Sequence, residues 1–258
     1  MKSRLHSLST LTLLCLTVVP TALAEPADGI FPSDEYPALA KFNEAITFYL
    51  SFNEQLLIPD WSTDDCKRLN PEVPFELKPG LWGQAVLFGS DSIKFSAGSH
   101  VNFKRPGSLA MWVSPYEWVR DTAAETPYLF LFTAFGQGRK YNLARMGDKL
   151  NHEFLYIHAE SGPHHFSLIE GNTTRWKSGE WHLLVMNWKN DTVALSVDGR
   201  QPQPQTAAWL TAADGPSGTF YIGFEAAPHA RYLIDEVTVM SRPLDAQEIG
   251  WIYDCKNK

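Results

Sequence analysis

Between Trp181 and Gly199 the chain reads WHLLVMNWKNDTVALSVDG, two strand patterns joined by a turn. Val193, Leu195 and Val197 alternate with Thr192, Ala194 and Ser196, the period-2 signature of a strand with one buried face. In the run before it apolar residues stand at both parities, Leu183 and Val185 on one and Leu184 and Met186 on the other. That pattern predicts a strand covered on both sides, with Trp181 and Trp188 in the core. Lys189-Asn190-Asp191 supplies the connecting turn, and Asp198-Gly199 a second tight turn at the far end. A meander of this kind must bury its Val/Leu face against another sheet, so the fold is layered and rich in antiparallel strands.

Regular punctuation extends this reading to most of the chain. Strands are predicted at 46–52, 84–88, 92–95, 108–113, 128–134, 141–145, 153–158, 165–169, 219–224 and 232–240, each bounded by Gly, Asn, Ser or Pro. Residues 25–45 form a lead-in, Pro- and acid-rich at first and weakly helical from Ala38 to Ala45. Residues 53–79 carry Pro59, Pro71, Pro74 and Pro79 and predict a long irregular loop. One helix is signalled clearly: Asp245 as N-cap, Glu248 three residues on in capping-box position, and Leu244, Ile249 and Ile252 as its apolar stripe. Many short strands and almost no helix mean a sandwich or barrel, with one domain over 46–258.

The first 24 residues predict a secretory leader: Lys2 and Arg4, an apolar run from Leu11 to Val19, and small residues at Ala22-Leu23-Ala24. That run is too short to span a bilayer, so no transmembrane segment is expected and the location is extracellular or periplasmic. Losing Lys2 and Arg4 takes the net charge from −7 to −9. An acidic chain without a Lys/Arg cluster is a poor partner for nucleic acid. Of the three cysteines, Cys66 and Cys255 would remain, and an even pair in an oxidising compartment predicts one disulfide.

Leu81-Trp-Gly-Gln-Ala-Val-Leu-Phe-Gly, Gly107-Ser-Leu-Ala-Met-Trp-Val, Trp181-His-Leu, Ser196-Val-Asp-Gly, Phe220-Tyr-Ile-Gly, Leu233-Ile-Asp-Glu-Val and Arg242-Pro-Leu-Asp-Ala-Gln-Glu-Ile follow one another in order. In that order and spacing they resemble the laminin-G-like, concanavalin-A-like jelly rolls. The resemblance implies an all-β, antiparallel two-sheet jelly-roll sandwich with a short C-terminal helix. It implies little about chemistry, since the architecture hosts lectins, adhesion modules, glycosidases and lyases alike. It also implies a structural calcium held by Asp235 together with Asn53 or Glu54. Calcium wants six to eight oxygens, and an aspartate is the residue such domains place where Asn53 stands. A turn capped by Asp235 through backbone hydrogen bonds is the alternative.

No two carboxylates in the chain are separated by a single residue. A strand that carries a catalytic pair on one face needs that spacing, and a glycosidase needs two carboxylates astride the scissile bond. Asp235 and Glu236 are adjacent and on a regular strand would point to opposite faces. His152-Glu153 lacks the second histidine of a zinc-protease helix, and there is no Gly-x-Ser-x-Gly elbow. For sugar the needed groups are aromatic platforms and forked polar side chains. Trp118, Tyr141, His165 and Arg231, with Trp176 and His229, fall in or beside predicted loops. The expectation is a secreted, non-catalytic binder of extracellular glycan or cell-surface protein. The alternative is a polysaccharide-degrading enzyme on the same fold.

Overall fold

The computed structural model describes residues 36–97, 100–116, 128–136, 139–147, 153–161, 164–201, 203–206, 218–224 and 231–257. Two antiparallel sheets dominate them. The first contains β1 (Ile46–Leu50), β2 (Trp61–Ser62), β3 (Glu76–Pro79), β4 (Gln84–Phe88), β6 (Gly107–Tyr116), β11 (His182–Lys189), β12 (Thr192–Val197), β13 (Gln205–Thr206) and β15 (Arg231–Met240). The second contains β5 (Ile93–Ser96), β7 (Tyr128–Gly136), β8 (Arg139–Gly147), β9 (Glu153–Ser161), β10 (His164–Asn172) and β14 (Thr219–Phe224). Their orders are β13-β12-β11-β6-β15-β1-β2, with β4 also on β15 and β3 on β4, and β10-β9-β8-β7-β14-β5.

Strand parity explains the core. Phe48, Leu50, Met111, Val113, Leu184, Met186, Val193, Leu195, Ile234 and Val239 point from the nine-stranded sheet toward Phe95, Phe132, Leu143, Ile157 and Phe220 of the six-stranded one. As the sequence predicts, β11 is covered on both sides, because Leu183 and Val185 face outward into a second apolar cluster. That cluster is roofed by two helices, α1 (Pro37–Phe42) and α2 (Ala246–Asp254), through Leu39, Phe42, Ile249 and Ile252. The capping box at α2 forms in both directions, Glu248 N–H to Asp245 at 2.8 Å and Asp245 N–H to Glu248 at 2.9 Å. Asn187 then fastens the helix entry to β11 through the carbonyl and N–H of Leu244. The connecting turns take the backbone their residues favour, with Asn190, Asp198 and Gly199 all at positive φ.

Three local expectations fail. Trp181 stands half-buried at the rim just before β11, while Trp188 is buried as expected. The loop after β1 is not wholly irregular: it holds β2 and β3, and an isolated antiparallel backbone bridge between Arg68 and Phe95 ties it to β5. The third failure is the disulfide. Cys66 and Cys255 are both thiols. Cys66 packs against the core between the sheets and donates to Ser96 O at 3.4 Å. Cys255 is buried at the end of α2, in the layer outside the nine-stranded sheet, and donates to Trp251 O at 3.2 Å. A bridge needs Cα atoms within roughly 7 Å and facing Cβ vectors, and these two sulfurs serve different layers.

Candidate functional site

The long strand β15 changes partners midway. On the side away from β6, Tyr232–Ile234 pair with β4, and Val237–Met240 pair with β1. At the changeover the register against β6 slips between Asp235 and Thr238, and Glu236 adopts φ 54°. This bulge has a chemical result that adjacency in sequence hides. Asp235 and Glu236 both turn to the outer side of the sheet, and neither is exposed. The Asp235 carboxylate accepts the N–H of Leu81 at 2.8 Å, of Trp82 at 3.3 Å and of Glu236 at 3.0 Å. It therefore replaces the missing ladder carbonyls at the fork. Burial pushes this carboxyl well above the usual carboxylate range, while the three N–H donors pull the other way. Glu236 accepts from Tyr49, and Tyr36 of the N-terminal segment closes over the pair. Burial first, and the Glu236 charge second, drive both phenols above their ordinary value.

The residues expected to hold calcium serve the same fork. Asn53 Oδ1 accepts the N–H of Gln84 at 2.7 Å, so Asn53 and Asp235 grip the 80–84 turn from two sides. Gly83 belongs there because φ is +67° and a Cβ would lie 2.0 Å from Asn53 Oδ1. Glu54 is exposed. A cation at Asp235 would have to displace three N–H donors, and no group of three His, Cys, Asp or Glu among the described residues could hold a metal ion. As they stand, these contacts make a turn clamp.

Of the four residues expected to meet a ligand, Tyr141, His165 and Arg231 fall on different strands, β8, β10 and β15. Trp118 and His229 lie outside the described residues. Tyr141 falls inside β8, in register with Ala134 and Ala159 of the core. His165 falls inside β10, opposite Glu160. Trp176 stacks on the His182 ring, centroids 3.8 Å apart and planes at 4°, against the inter-sheet core. Arg231 has partners suited to a ligand, and they are residues the sequence reading passed over. Its guanidinium lies 5.1 Å from the centre of the Tyr116 ring, and the Lys78 ammonium lies 5.8 Å from the same ring. Glu76 joins the two cations, with one oxygen on Lys78 and the other 3.1 Å from Arg231 Nη2.

The cluster is built by strand geometry. Glu76 and Lys78 are two apart on β3, hence on one face, and β3 lies two strands from β15 and three from β6. The charged side chains reach across Leu87 and Leu233, whose apolar surface they cover while keeping their heads in water. Trp181 flanks the same floor. This is the part of the outer face that the helical layer leaves alone. Contact with Lys78 holds the Glu76 carboxyl below its usual range and the ammonium above its own. The arrangement can stack an apolar ring face on Tyr116 and present charged donors at the ring's edge. One signal could have found it: Glu76-x-Lys78 and the outward parity of Tyr116 beyond Trp112 and Ser114.

Comparison with known proteins supports the architecture. A family model described as the concanavalin A-like lectin/glucanases superfamily matches residues 88–250. No curated protein sequence matches. Among solved structures, a receptor binding domain is similar at TM-score 0.66 and 10% identity over 85% of this chain and 53% of its own. A structure of botulinum neurotoxin type C, whose cell entry is dependent upon interaction with two ganglioside molecules, gives TM-score 0.63 and 11% identity, covering 84% and 53%. The chain thus spans about half the length of these proteins. Domain 4 of a GH43 extracellular arabinanase from Geobacillus stearothermophilus, in complex with arabinotriose, gives TM-score 0.57 and 17% identity, covering 81% of this chain and 99% of that one.

Proposed function

We propose that this chain, which belongs to the concanavalin A-like lectin/glucanases superfamily, is an exported module that binds extracellular carbohydrate without cutting it. The observation that carries the reading is the Tyr116 ring flanked by Arg231 and Lys78 above an apolar floor. Sugar rings offer a C–H face for stacking and hydroxyls for charged hydrogen bonds, and this cluster supplies both complements. Two similar proteins are described with sugar ligands, gangliosides for the toxin and arabinotriose for the arabinanase domain. The basic start and apolar run of residues 1–24 support export. Among the described residues no helix is long and apolar enough to cross a membrane.

Binding without cleavage rests on the carboxylates. Among the described residues the exposed cluster holds one, Glu76, whereas hydrolysis by paired carboxylates needs two flanking the bond. The buried pair Asp235 and Glu236 is sealed from solvent. Retention on immobilised polysaccharides tests the reading. Arg231→Ala and Tyr116→Ala should each reduce retention while leaving the circular dichroism spectrum unchanged. Each aromatic contact is worth about 0.5–1.5 kcal/mol beyond buried area, so single sugars should bind weakly and polymers well. Reducing ends or unsaturated products released by purified protein would overturn it.

A further inference from the structure

We propose that residues 55–75 form a self-association surface, and that its occupant is the same surface of a second copy of this chain. Among the described residues the large apolar side chains left exposed are Leu56, Ile58 and Leu69, at 67%, 49% and 45%. All three belong to this one segment, and Leu56 and Ile58 line a groove of about 600 Å³. The segment lies where both sheets end. It contains β2, the last strand of the nine-stranded sheet, and its Arg68 bridges to β5, the last strand of the six-stranded one. Cys66 and Phe75 of the groove pack on the inter-sheet core, which gives the groove a firm floor. Single apolar side chains on a surface need no explanation, but a cluster of them beside a recess marks an interaction site.

The groove can be covered without stranding much of its backbone. Pro59, Pro71 and Pro74 line it and have no N–H to lose to water. The Arg68 guanidinium donates to Leu56 O at 2.9 Å and to Val73 O at 2.6 Å, so those two carbonyls are satisfied from within. Shape and charge then choose the occupant. In a two-fold contact one patch serves both partners, so a surface with knobs beside a hole is its own complement. Leu56 and Ile58 are the knobs, and the groove over Phe75 is the hole. Charges of both signs are interleaved along the segment: Asp64 and Asp65 stand exposed next to Lys67 and Arg68, and Glu72 follows. A partner of one sign would meet like charges as well as unlike ones, whereas a two-fold copy can set each acid against a cation. Such a pair would carry two Tyr116 clusters, and two weak sites on one particle hold a polymer better than one. That consequence rests on the carbohydrate reading; the association does not.

Sedimentation velocity over a wide range of protein concentration, with no sugar present, tests the proposal. The wild type should pass from monomer to dimer and go no further, because a two-fold contact closes on itself. Leu56→Asp and Ile58→Asp should each weaken the dimer by about a hundredfold or more, since a two-fold interface loses the side chain twice. Both side chains are exposed in the single chain, so near-ultraviolet circular dichroism and the melting temperature of the dilute monomer should match wild type. Amide hydrogen exchange at 55–75 should slow as the wild-type concentration rises and stay fast in Leu56→Asp. A wild type that is monomeric at every concentration overturns the proposal. So does a dimer that both substitutions leave intact, or a run of ever larger species. A monomer that takes up an apolar dye, and loses it on Leu56→Asp, overturns the second copy and gives the groove to a small apolar ligand instead.

Discussion

The Tyr49 hydroxyl donates to Glu236 Oε2 at 2.5 Å across 187 positions of chain, joining β1 to the bulge in β15. The contact exists because Glu236 sits at φ 54°, which turns its side chain to the same outer side as Tyr49. Both residues are buried beneath α1 and α2. A polar link in such surroundings is worth more intact than its net energy suggests, since losing one partner strands the other away from water.

Tyr49→Phe should therefore lower unfolding stability by about 1–3 kcal/mol. Urea denaturation followed by tryptophan fluorescence would measure it. An unchanged midpoint would mean that the hydroxyl contributes nothing to holding the bulge.

Asp235→Ala removes the acceptor of three N–H groups at the fork between β4 and β1, and should cost roughly 3 kcal/mol. Calcium should leave the melting temperature where it was in wild type and variant alike. A calcium-dependent rise in wild type that the variant lacks would restore the metal reading, because a ligand that binds only the folded state stabilises it by mass action.

His100 gives the fold an acid-sensitive point. The ring is buried near Phe48, with Nδ1 3.5 Å from the Thr63 hydroxyl, and burial lowers its pKa below the ordinary value. In a histidine so depressed, the unfolded chain takes up the proton first. Its contribution is then whole above about pH 6.5 and is lost as pH falls toward the folded-state value. Melting curves from pH 7.5 downward should fall more steeply for wild type than for His100→Gln. Parallel curves would remove His100 from the account.

The two thiols give a simple test. With Cys66 and Cys255 unbridged, dithiothreitol should not move the melting temperature, and non-reducing mass spectrometry after unfolding and alkylation should find two labelled cysteines. A mass short by two hydrogens, with a melting point that drops on reduction, would show that they bond after all.

Most of the architecture could be read from the sequence because strand parity is a strong signal where both faces of a sheet are covered. The 183–188 run declared β11 a central strand, and Asp245 with Glu248 declared the start of α2. What escaped was set by interactions between distant segments. Glu76-x-Lys78 lies between Pro74 and Pro79, so β3 reads as loop until β4 is there to pair with it. Asp235 and Glu236 look divergent until the change of partner forces the bulge. Counting cysteines gives a bridge, but a count does not know that the sulfurs lie in different layers. Arg231 was found by its residue type, while its companions Tyr116, Lys78 and Glu76 came into view only through strand order.

The roof of two helices also decides how the domain answers to tension. Phe42 of α1 meets Trp251 of α2 edge-on at 5.9 Å, and the Lys41 ammonium lies 4.1 Å from the same indole. Directly inside this seam α1 leads to β1 and β15 leads to α2, and those two strands are antiparallel neighbours. A pull on both ends of the described chain would part the helix seam first. Only then would load reach the hydrogen bonds between β1 and β15, so the helix seam stands in series ahead of the sandwich.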